Sequence, residues 1–322
     1  DSAAAWQSVA WRFESNGWPR ELLFALDMPY PFARDDDGKP QDGRSSAAEN
    51  MQQLAAEVER VRKLSGAHKV VLVGNSRGGN AIRNYIRNGG GAATVSHAIL
   101  GGTPNHGVWA GDYLPGNEFN GKGPFLTALN SPQGPEGLEV TPGVAVMTLR
   151  SDNYDKYFQP DGRWIGQPKM RTHVAFDSPA LKGAQNVVLP GRDHRELAYH
   201  PEAFAQTYRF ITGALPARTG IAPEPDIVLD GRITGYRGTA PSNLPLAGAS
   251  LEIFETTARS GERRGKAVHA KTVGDDGRWG PFNARPHASY EFVVNAAGFA
   301  VTHIYRSPFP RSSSLIHLRP AR

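Results

Sequence analysis

One turn constrains the fold of this chain more than any other stretch: the sequence Gly-Asn-Ser-Arg-Gly at residues 74–78. It follows an apolar, β-branched run at residues 69–73 and precedes a helix-compatible segment at residues 81–87. Such a turn is so tight that the serine adopts a strained backbone, and the glycines remove side chains that would collide. The pattern predicts a nucleophile elbow that holds Ser76 Oγ at the top of a sheet; the alternative is a glycine-rich turn with a capping serine.

Length and composition exclude several classes of protein. At 322 residues, the chain is long enough for two domains. It contains no cysteine, which excludes thiol catalysis, disulfides and cysteine-based metal sites. No run of about 18 apolar residues occurs, so no integral membrane segment is predicted.

The net charge of +5 is confined to the last third of the chain. From Asp226 onward there are 13 Lys and Arg against 8 Asp and Glu, so the remainder has 36 − 13 = 23 and 31 − 8 = 23. We interpret this excess as a solvated basic face. No nucleic-acid motif or basic-aromatic run accompanies it, so no nucleic-acid partner is predicted.

Strands and helices alternate up to about residue 213, which predicts a parallel sheet with helices on both faces. Strands are predicted at residues 21–26, 69–73, 95–100, 144–149 and 185–189, and helices at residues 2–15, 45–64, 81–87 and 201–212. Chemistry in such sheets lies beyond the carboxyl ends of the strands. Ser76, then Asp152 and Asp155, then His194 each follow a predicted strand, in the order Ser, Asp, His.

The periodicity changes after residue 213. Residues 214–225 have the composition of a linker, rich in proline and alanine. From residue 226 to residue 322, short strands separated by Gly, Pro and Asp turns predict a small all-β sandwich, with its last strand at residues 315–318.

Four short motifs give the first part of the chain a family resemblance. They are Gly-Asn-Ser-Arg-Gly-Gly at 74–79, Gly-Thr-Pro-Asn-His-Gly at 102–107, the segment 151–157 and Gly-Arg-Asp-His at 191–194. Through them, the first 213 residues resemble the bacterial lipase/esterase branch of the α/β-hydrolase superfamily. The tail resembles a carboxypeptidase-regulatory or transthyretin-like sandwich, through Pro-Leu-Ala-Gly-Ala at 245–249 and Asp-Asp-Gly-Arg-Trp at 275–279.

The resemblance implies three segments. Residues 1–213 are predicted to be an α/β-hydrolase catalytic domain, residues 214–225 a linker and residues 226–322 a β-sandwich domain. Lipases of this branch carry a strand ending in His-Gly before the first helix, and the next residue donates a backbone N–H to the oxyanion hole. Because residues 1–6 resemble the stretch just after that His-Gly, we expect an N-terminal strand, the oxyanion loop and any signal peptide upstream of residue 1.

The resemblance also implies catalytic roles. Ser76 is the expected nucleophile and His194 the expected base, and Arg77 offers a backbone N–H to the oxyanion. The acid that orients His194 is either Asp155 or Asp152, and we favour Asp155 because it stands several residues into the loop, before an apolar pair.

Other site residues follow less directly. His106 and Trp109 are candidates for substrate binding. The Thr-Pro-Asn-His-Gly loop that contains His106 is expected to shape the pocket floor, and Trp109 lies in a long loop, residues 108–142, whose aromatic residues suit a lid or an acyl pocket. The ten histidines are dispersed, so no metal site is predicted, and no cofactor is implied.

The resulting expectation is a serine carboxylic-ester hydrolase that forms an acyl-enzyme on Ser76. An apolar ester or polyester would be its substrate, and it would be secreted or periplasmic in a bacterium. Two alternatives stay open: an amidase or other hydrolase that uses the same triad, and an inactive hydrolase-like binding protein. The β-sandwich would either bind a polymer or surface or cap the catalytic domain.

Overall fold

The computed structural model describes residues 2–322, whose contacts divide the chain into two compact units. The first, which we call the α/β unit, is Phe32–Thr219. The second, the β unit, joins Ser2–Pro31 to Gly220–Arg322.

The helices are α1 (Gln7–Glu14), α2 (Ala47–Ser65), α3 (Arg77–Asn88), α4 (Gly91–Thr94), α5 (Pro124–Leu129), α6 (Glu196–Tyr199) and α7 (Pro201–Thr212). The strands are β1 (Val70–Asn75), β2 (Val95–Gly101), β3 (Ala145–Arg150), β4 (Gln185–Val188), β5 (Ile227–Leu229), β6 (Thr234–Arg237), β7 (Ala240–Pro245), β8 (Ser250–Thr256), β9 (His269–Thr272), β10 (Phe282–Ala284), β11 (Ser289–Asn295) and β12 (Thr302–Arg306). Short 3₁₀ turns occupy Ala3–Trp6, Arg20–Leu22 and Lys156–Phe158.

The α/β unit is built on one parallel sheet in the order β1-β2-β3-β4. Asn75 at the end of β1 pairs with Gly101 of β2, which in turn pairs with Leu149 of β3. The carboxyl ends of these strands therefore form one edge, where chemistry is expected in such a sheet. Buried Ile99 and Met147 pack with Leu197 of α6 in the core of this sheet. The predicted parallel sheet is confirmed.

Helix α2 shows how local sequence determines its ends. Ser46 Oγ accepts a hydrogen bond from Glu49 N, and Glu49 Oε2 accepts one from Ser46 N, which is a capping box. Gly66 ends the helix with φ 72°, a conformation that glycine adopts without strain. The predicted helix at residues 45–64 is confirmed.

The β unit consists of short antiparallel sheets. The largest has the order β12-β11-β8-β9, and β10-β5 and β6-β7 form two-stranded sheets. Its core includes Trp279, Phe292 and Leu251, all fully buried. The expected all-β region is confirmed, although the last predicted strand reduces to a single bridge between Ile233 and Leu318.

The N-terminal residues differ from the sequence interpretation, which assigned residues 2–31 to the catalytic domain. Their contacts group Ser2–Pro31 with the β unit. Trp11 of α1 is part of the apolar core of that unit, and its Nε1 donates a 2.8 Å hydrogen bond to Ser312 O. The apolar face of α1 is visible in the sequence, but the face does not identify its packing partner.

The strand predicted at residues 21–26 is absent from the described structure. Arg20–Leu22 forms a 3₁₀ turn instead, and the following residues are irregular. Arg20 bridges Glu14 and Glu224 at 2.7 Å each, so polar contacts fix this segment. Leu22 and Phe24 are exposed, so this apolar run adds no strand to a buried sheet.

Helices of the described part of the chain are all too short or too polar to cross a membrane. The longest of them, α2, carries several charged residues along its 19-residue length.

The β unit contains a buried carboxylate that is paired with two basic side chains. Glu291 of β11, 2% exposed, accepts hydrogen bonds from Arg263 and His303 at 2.6 Å each. The hydrogen bond from Arg263, followed by that from His303, lowers the pKa of Glu291 from 4.5 to about 2. Its carboxylate therefore stabilises the fold above pH 4.5, and this contribution disappears as the pH falls toward 2.

We accordingly expect the free energy of unfolding to fall as the pH drops from about 4.5 to about 2, and Glu291→Gln to weaken that dependence. Urea unfolding of the full chain across this range measures it. Glu252→Gln, on the exposed face of β8, is the matched control. An unchanged pH dependence in Glu291→Gln would contradict the assignment.

Candidate active site

Ser76 lies at the sharp turn between β1 and α3, at the carboxyl edge of the parallel sheet. Its backbone has φ 54° and ψ −125°, a combination that residues other than glycine rarely adopt. Ser76 N donates a 2.8 Å hydrogen bond to Gly101 O, which fixes the turn to the end of β2. The geometry is that of a strained strand–turn–helix elbow.

Close packing around the turn requires glycine at two positions. A Cβ on Gly74 would lie 2.7 Å from the Ile82 side chain and 2.8 Å from Gly78 C. A Cβ on Gly79 would overlap the side chain of Thr103. At Gly78 a Cβ would meet open space. The interpretation that both motif glycines prevent collisions is therefore wrong for Gly78, and the tight contact occurs one residue later.

This difference predicts opposite results for two neighbouring substitutions. Gly79→Ala should destabilise the protein by about 1–3 kcal/mol, because Thr103 has to move. Gly78→Ala should be neutral or stabilise by up to about 1 kcal/mol, since alanine is favoured over glycine inside a helix. Urea denaturation of both variants tests this. Equal losses of stability would contradict the packing argument.

His194 and Asp155 form a buried pair. His194 Nδ1 lies 2.9 Å from Asp155 Oδ2, and the two residues are 8% and 2% exposed. The other carboxylate oxygen, Asp155 Oδ1, accepts a 3.1 Å hydrogen bond from Tyr157 N. The Tyr157 ring contacts the imidazole edge-on, with centroids 4.6 Å apart. With Nδ1 facing the carboxylate, a neutral imidazole carries its proton there and has Nε2 as its basic atom.

Asn75, the residue before the serine, connects this pair to the elbow. Its Nδ2 donates to Gly101 O at 2.9 Å and to His194 O at 3.0 Å. Gly102 lies against the imidazole, since a Cβ there would be 3.1 Å from His194 Nδ1. The histidine loop is thereby held beside the end of β2, to which Ser76 is also bonded. Sequence reasoning missed Asn75 because its partners lie far along the chain.

Asp152 does not contact the histidine. Its Oδ1 accepts hydrogen bonds from Tyr154 N at 3.1 Å and Gly191 N at 3.2 Å, and Ser151 Oγ lies 3.2 Å away. The hydrogen bond from Tyr154 N lowers the pKa of Asp152 the most, and the hydrogen bond from Gly191 N lowers it further. Asp152 therefore joins the loop after β3 to the loop that carries His194. Of the two candidate acids, the structure brings only Asp155 to the imidazole.

Arg77 begins α3, so its backbone N–H lies at the helix N-terminus, where a negative charge is favoured. Its guanidinium makes a buried bidentate pair with Glu118, at 2.7 and 2.9 Å. The same group donates to Ser45 Oγ at 2.9 Å and Ser45 O at 2.8 Å. Burial raises the pKa of Glu118, and the nearby Arg77 opposes that shift. No local sequence signal identifies Glu118 as this partner, because it is 41 residues away.

Replacing Glu118 should lower the stability of the fold. Glu118→Ala leaves the buried Arg77 guanidinium without its carboxylate, so we expect a loss of about 3–5 kcal/mol in unfolding free energy. Glu57→Ala, which removes a more exposed pair with Arg60, should cost less than about 1 kcal/mol. Urea denaturation compares them. Similar small losses would show that the buried pair contributes little.

His106 and Trp109 do not join the serine, the histidine and the acid. His106 Nε2 lies 2.8 Å from Glu139 Oε1, in the Thr-Pro-Asn-His-Gly loop. Trp109 is buried, and its Nε1 donates to Tyr113 O at 2.8 Å. A Cβ on Gly166 would lie 3.5 Å from Trp109 Cβ and Cε3, so the backbone of Gly166 comes close to this side chain. Trp109 thus organises its loop, and substrate binding by either residue stays a prediction.

A cavity of about 60 Å³ lies beside Asp155. His106, Thr103 and Phe158 contribute to its lining, together with apolar residues such as Val174. Ser76 and His194 are not among the lining residues, so the cavity adjoins Asp155 and does not include Ser76. Within residues 2–322, no group of three or more His, Asp or Glu side chains could hold a metal ion.

The C-terminal region has a match among known protein families. Residues 225–322 match the lipase C-terminal domain family. The match begins one residue before the predicted start of the all-β region. It relates this region to lipases, whereas its sequence motifs resemble those of a carboxypeptidase-regulatory or transthyretin-like sandwich. No curated protein matches the sequence at a meaningful level.

Solved structures with similarity to this chain include lipases and an esterase. Aspergillus fumigatus lipase B is 18% identical with a TM-score of 0.38, over 54% of this chain and 43% of that one. Bacillus licheniformis lipase BlEst2 in its propeptide form is 13% identical with a TM-score of 0.40, over 94% and 91%. Bacillus subtilis carboxylesterase CesB is 13% identical with a TM-score of 0.31, over 66% and 81%. This chain thus spans less than half of the Aspergillus lipase.

The arrangement within the α/β unit agrees with the predicted fold class. A parallel sheet, an elbow serine between β1 and α3, and a histidine between β4 and α6 are features of the α/β-hydrolase fold. An all-β region follows it in the chain. The predicted fold class, an α/β-hydrolase fold followed by a small all-β region, is confirmed.

Proposed function

We propose that this protein is a serine carboxylic-ester hydrolase that acts through an acyl-enzyme on Ser76. One observation carries the proposal: Asn75 bonds to both Gly101 O and His194 O, while Ser76 N bonds to the same Gly101 O. The strained serine and the loop that carries His194 are therefore joined at one edge of the sheet. A nucleophile, a base and an orienting acid at one edge are what acyl transfer requires.

In the proposed mechanism, Ser76 Oγ attacks the ester carbonyl carbon as His194 Nε2 takes the hydroxyl proton. The carbonyl oxygen becomes an oxyanion, which the Arg77 N–H at the start of α3 stabilises; one such donor contributes about 3 kcal/mol. The imidazolium returns its proton to the leaving alkoxide, and the C–O bond breaks. Water then attacks the acyl-enzyme with His194 again as base, which releases the acid and regenerates Ser76.

Asp155 supports each proton transfer without giving up its own charge. Its Oδ2 accepts from His194 Nδ1, which fixes the tautomer and stabilises the imidazolium that forms. The N–H of Tyr157 holds Asp155 Oδ1, so the carboxylate has little freedom to turn away. The edge-on Tyr157 ring restricts the imidazole from the side.

The substrate class and location belong to the same proposal. The match of residues 225–322 to the lipase C-terminal domain supports an apolar ester, of lipid or polyester type, as the substrate. We also propose secretion or a periplasmic location, because a chain without cysteine suits an oxidising compartment. Recovery of the natural protein from the culture medium or the periplasmic fraction would test that location.

The test is a series of p-nitrophenyl esters from acetyl to palmitoyl, with the matching p-nitroanilides, assayed with the full chain. We expect the esters to be hydrolysed and each anilide to react far more slowly. The chain-length optimum would then separate esterase from lipase. Preference for the anilides would support an amidase instead, and no turnover of either series would contradict the proposed hydrolase.

A further inference from the structure

The loop between β3 and β4, residues 151–183, exposes large apolar side chains. Tyr154 is 65% exposed, Trp164 57% and Met170 55%. The same loop buries Val174 and Leu181, so its other apolar side chains pack against the protein. Several exposed apolar side chains within one short stretch of a loop are a feature of surfaces that meet another apolar phase.

Positive charge is concentrated in one segment of this loop, although the whole loop has five Lys or Arg and four Asp. Residues 156–171 contain four Lys or Arg and one Asp. That aspartate, Asp161, pairs with Arg163 at 3.3 Å. Across residues 2–322, Lys156, Lys169 and Arg171 form no salt bridge with any carboxylate that the structure describes. The segment therefore presents uncompensated positive charge beside its apolar side chains.

One basic side chain of this segment contacts two aromatic rings, and one of those rings contacts His194. Lys156 Nζ lies over the Tyr157 ring at 5.1 Å and over the Trp164 ring at 5.5 Å from their centroids. The Tyr157 ring in turn contacts His194, at 4.6 Å. The exposed surface thus begins next to the base of the proposed triad. We call Tyr154, Lys156, Trp164, Lys169, Met170 and Arg171 the docking face.

We propose that the docking face binds the enzyme to an anionic lipid surface. This deepens the proposed function, because it supplies the physical form in which an ester would reach Ser76. Indole and phenol rings favour the boundary between headgroups and acyl chains, and Lys and Arg are attracted to anionic headgroups. A thioether and an indole beside the cations favour a lipid surface over a purely polar polyanion. The positive charge selects anionic over zwitterionic lipid.

Vesicle flotation with the full chain tests this proposal. The protein carries Ser76→Ala, so that binding is measured without hydrolysis of the lipid. Vesicles of phosphatidylcholine alone are compared with vesicles that contain about 30% phosphatidylglycerol, at low and high salt. We expect binding to the anionic vesicles, weaker binding at high salt, and little binding to phosphatidylcholine alone.

Substitutions in the docking face test whether these residues bind the vesicles. Lys169→Gln with Arg171→Gln should weaken binding about 25-fold, because each such charge near an anionic surface contributes about fivefold. Trp164→Ala should weaken it about tenfold through lost apolar burial. The matched controls are Lys63→Gln with Lys69→Gln, which remove two exposed charges elsewhere in the α/β unit, and Leu64→Ala, which removes an exposed apolar group. The controls should bind as tightly as the parent.

Three outcomes would overturn the proposal: no binding to anionic vesicles, equal binding to both vesicle types, or equal losses in the variants and their controls. Self-association through the same residues, without vesicle binding, would assign the face to a second copy of the chain. Because binding is measured on a protein that lacks the serine, failure of docking and failure of ester hydrolysis are read separately.

Discussion

Replacing Ser76 by alanine is expected to lower kcat for ester hydrolysis by a factor on the order of 10⁶, as removal of a serine nucleophile does in other triad hydrolases. Without Oγ, no acyl-enzyme can form, and only binding and oxyanion stabilisation are left. The fold should be retained, because the Ser76 backbone bond to Gly101 O does not involve the side chain. KM should change much less than kcat, since the loss falls on the transition state.

The matched control is Ser96→Ala. Ser96 is also partly buried and lies on the neighbouring strand β2, where its Oγ is bonded to Val70 O at 3.3 Å. It should retain activity close to that of the parent. Initial rates on p-nitrophenyl butyrate, with circular dichroism to verify folding, compare the two variants. A folded Ser76→Ala protein with substantial residual turnover would rule out this serine as the nucleophile.

The second large effect concerns the acid. Asp155→Asn should reduce kcat about 10⁴-fold, because an amide can no longer hold the His194 tautomer or stabilise the imidazolium. Asp152→Asn should reduce kcat less than about tenfold, since an asparagine oxygen can still accept hydrogen bonds from Tyr154 N and Gly191 N. Initial rates of both variants at saturating substrate give the comparison. A larger loss in Asp152→Asn would make Asp152 the acid.

Much of the α/β unit could be predicted because its signals are local. The run before residue 74, the capping box of α2 and the alternation of strands and helices each follow from neighbouring residues. Once the strands are parallel, their carboxyl ends meet, so Ser76, Asp155 and His194 could be expected at one edge without knowledge of their contacts. The choice between Asp152 and Asp155 required the structure, because both aspartates follow the same strand.

The features that the sequence did not predict depend on contacts between residues far apart in the chain. Glu118 and Arg77 are 41 positions apart, and Asn75 and His194 are 119 apart. No periodicity marks such pairs. The motif at residues 74–78 contains Gly78 and not Gly79, so it does not predict a requirement for glycine at residue 79. That requirement arises because the Thr103 side chain packs against the position of a Gly79 Cβ. Helix α1 likewise shows an apolar face without showing that Trp11 packs in the β unit.

The central claim is that Ser76 is a nucleophile activated by His194. Labelling with a p-nitrophenyl alkylphosphonate, followed by intact-mass and peptide mass spectrometry, tests it most directly. We predict one phosphonyl group per chain, located on Ser76, with labelling abolished in Ser76→Ala and slowed strongly in His194→Ala. An unlabelled parent protein, or a label on another residue, would contradict the account.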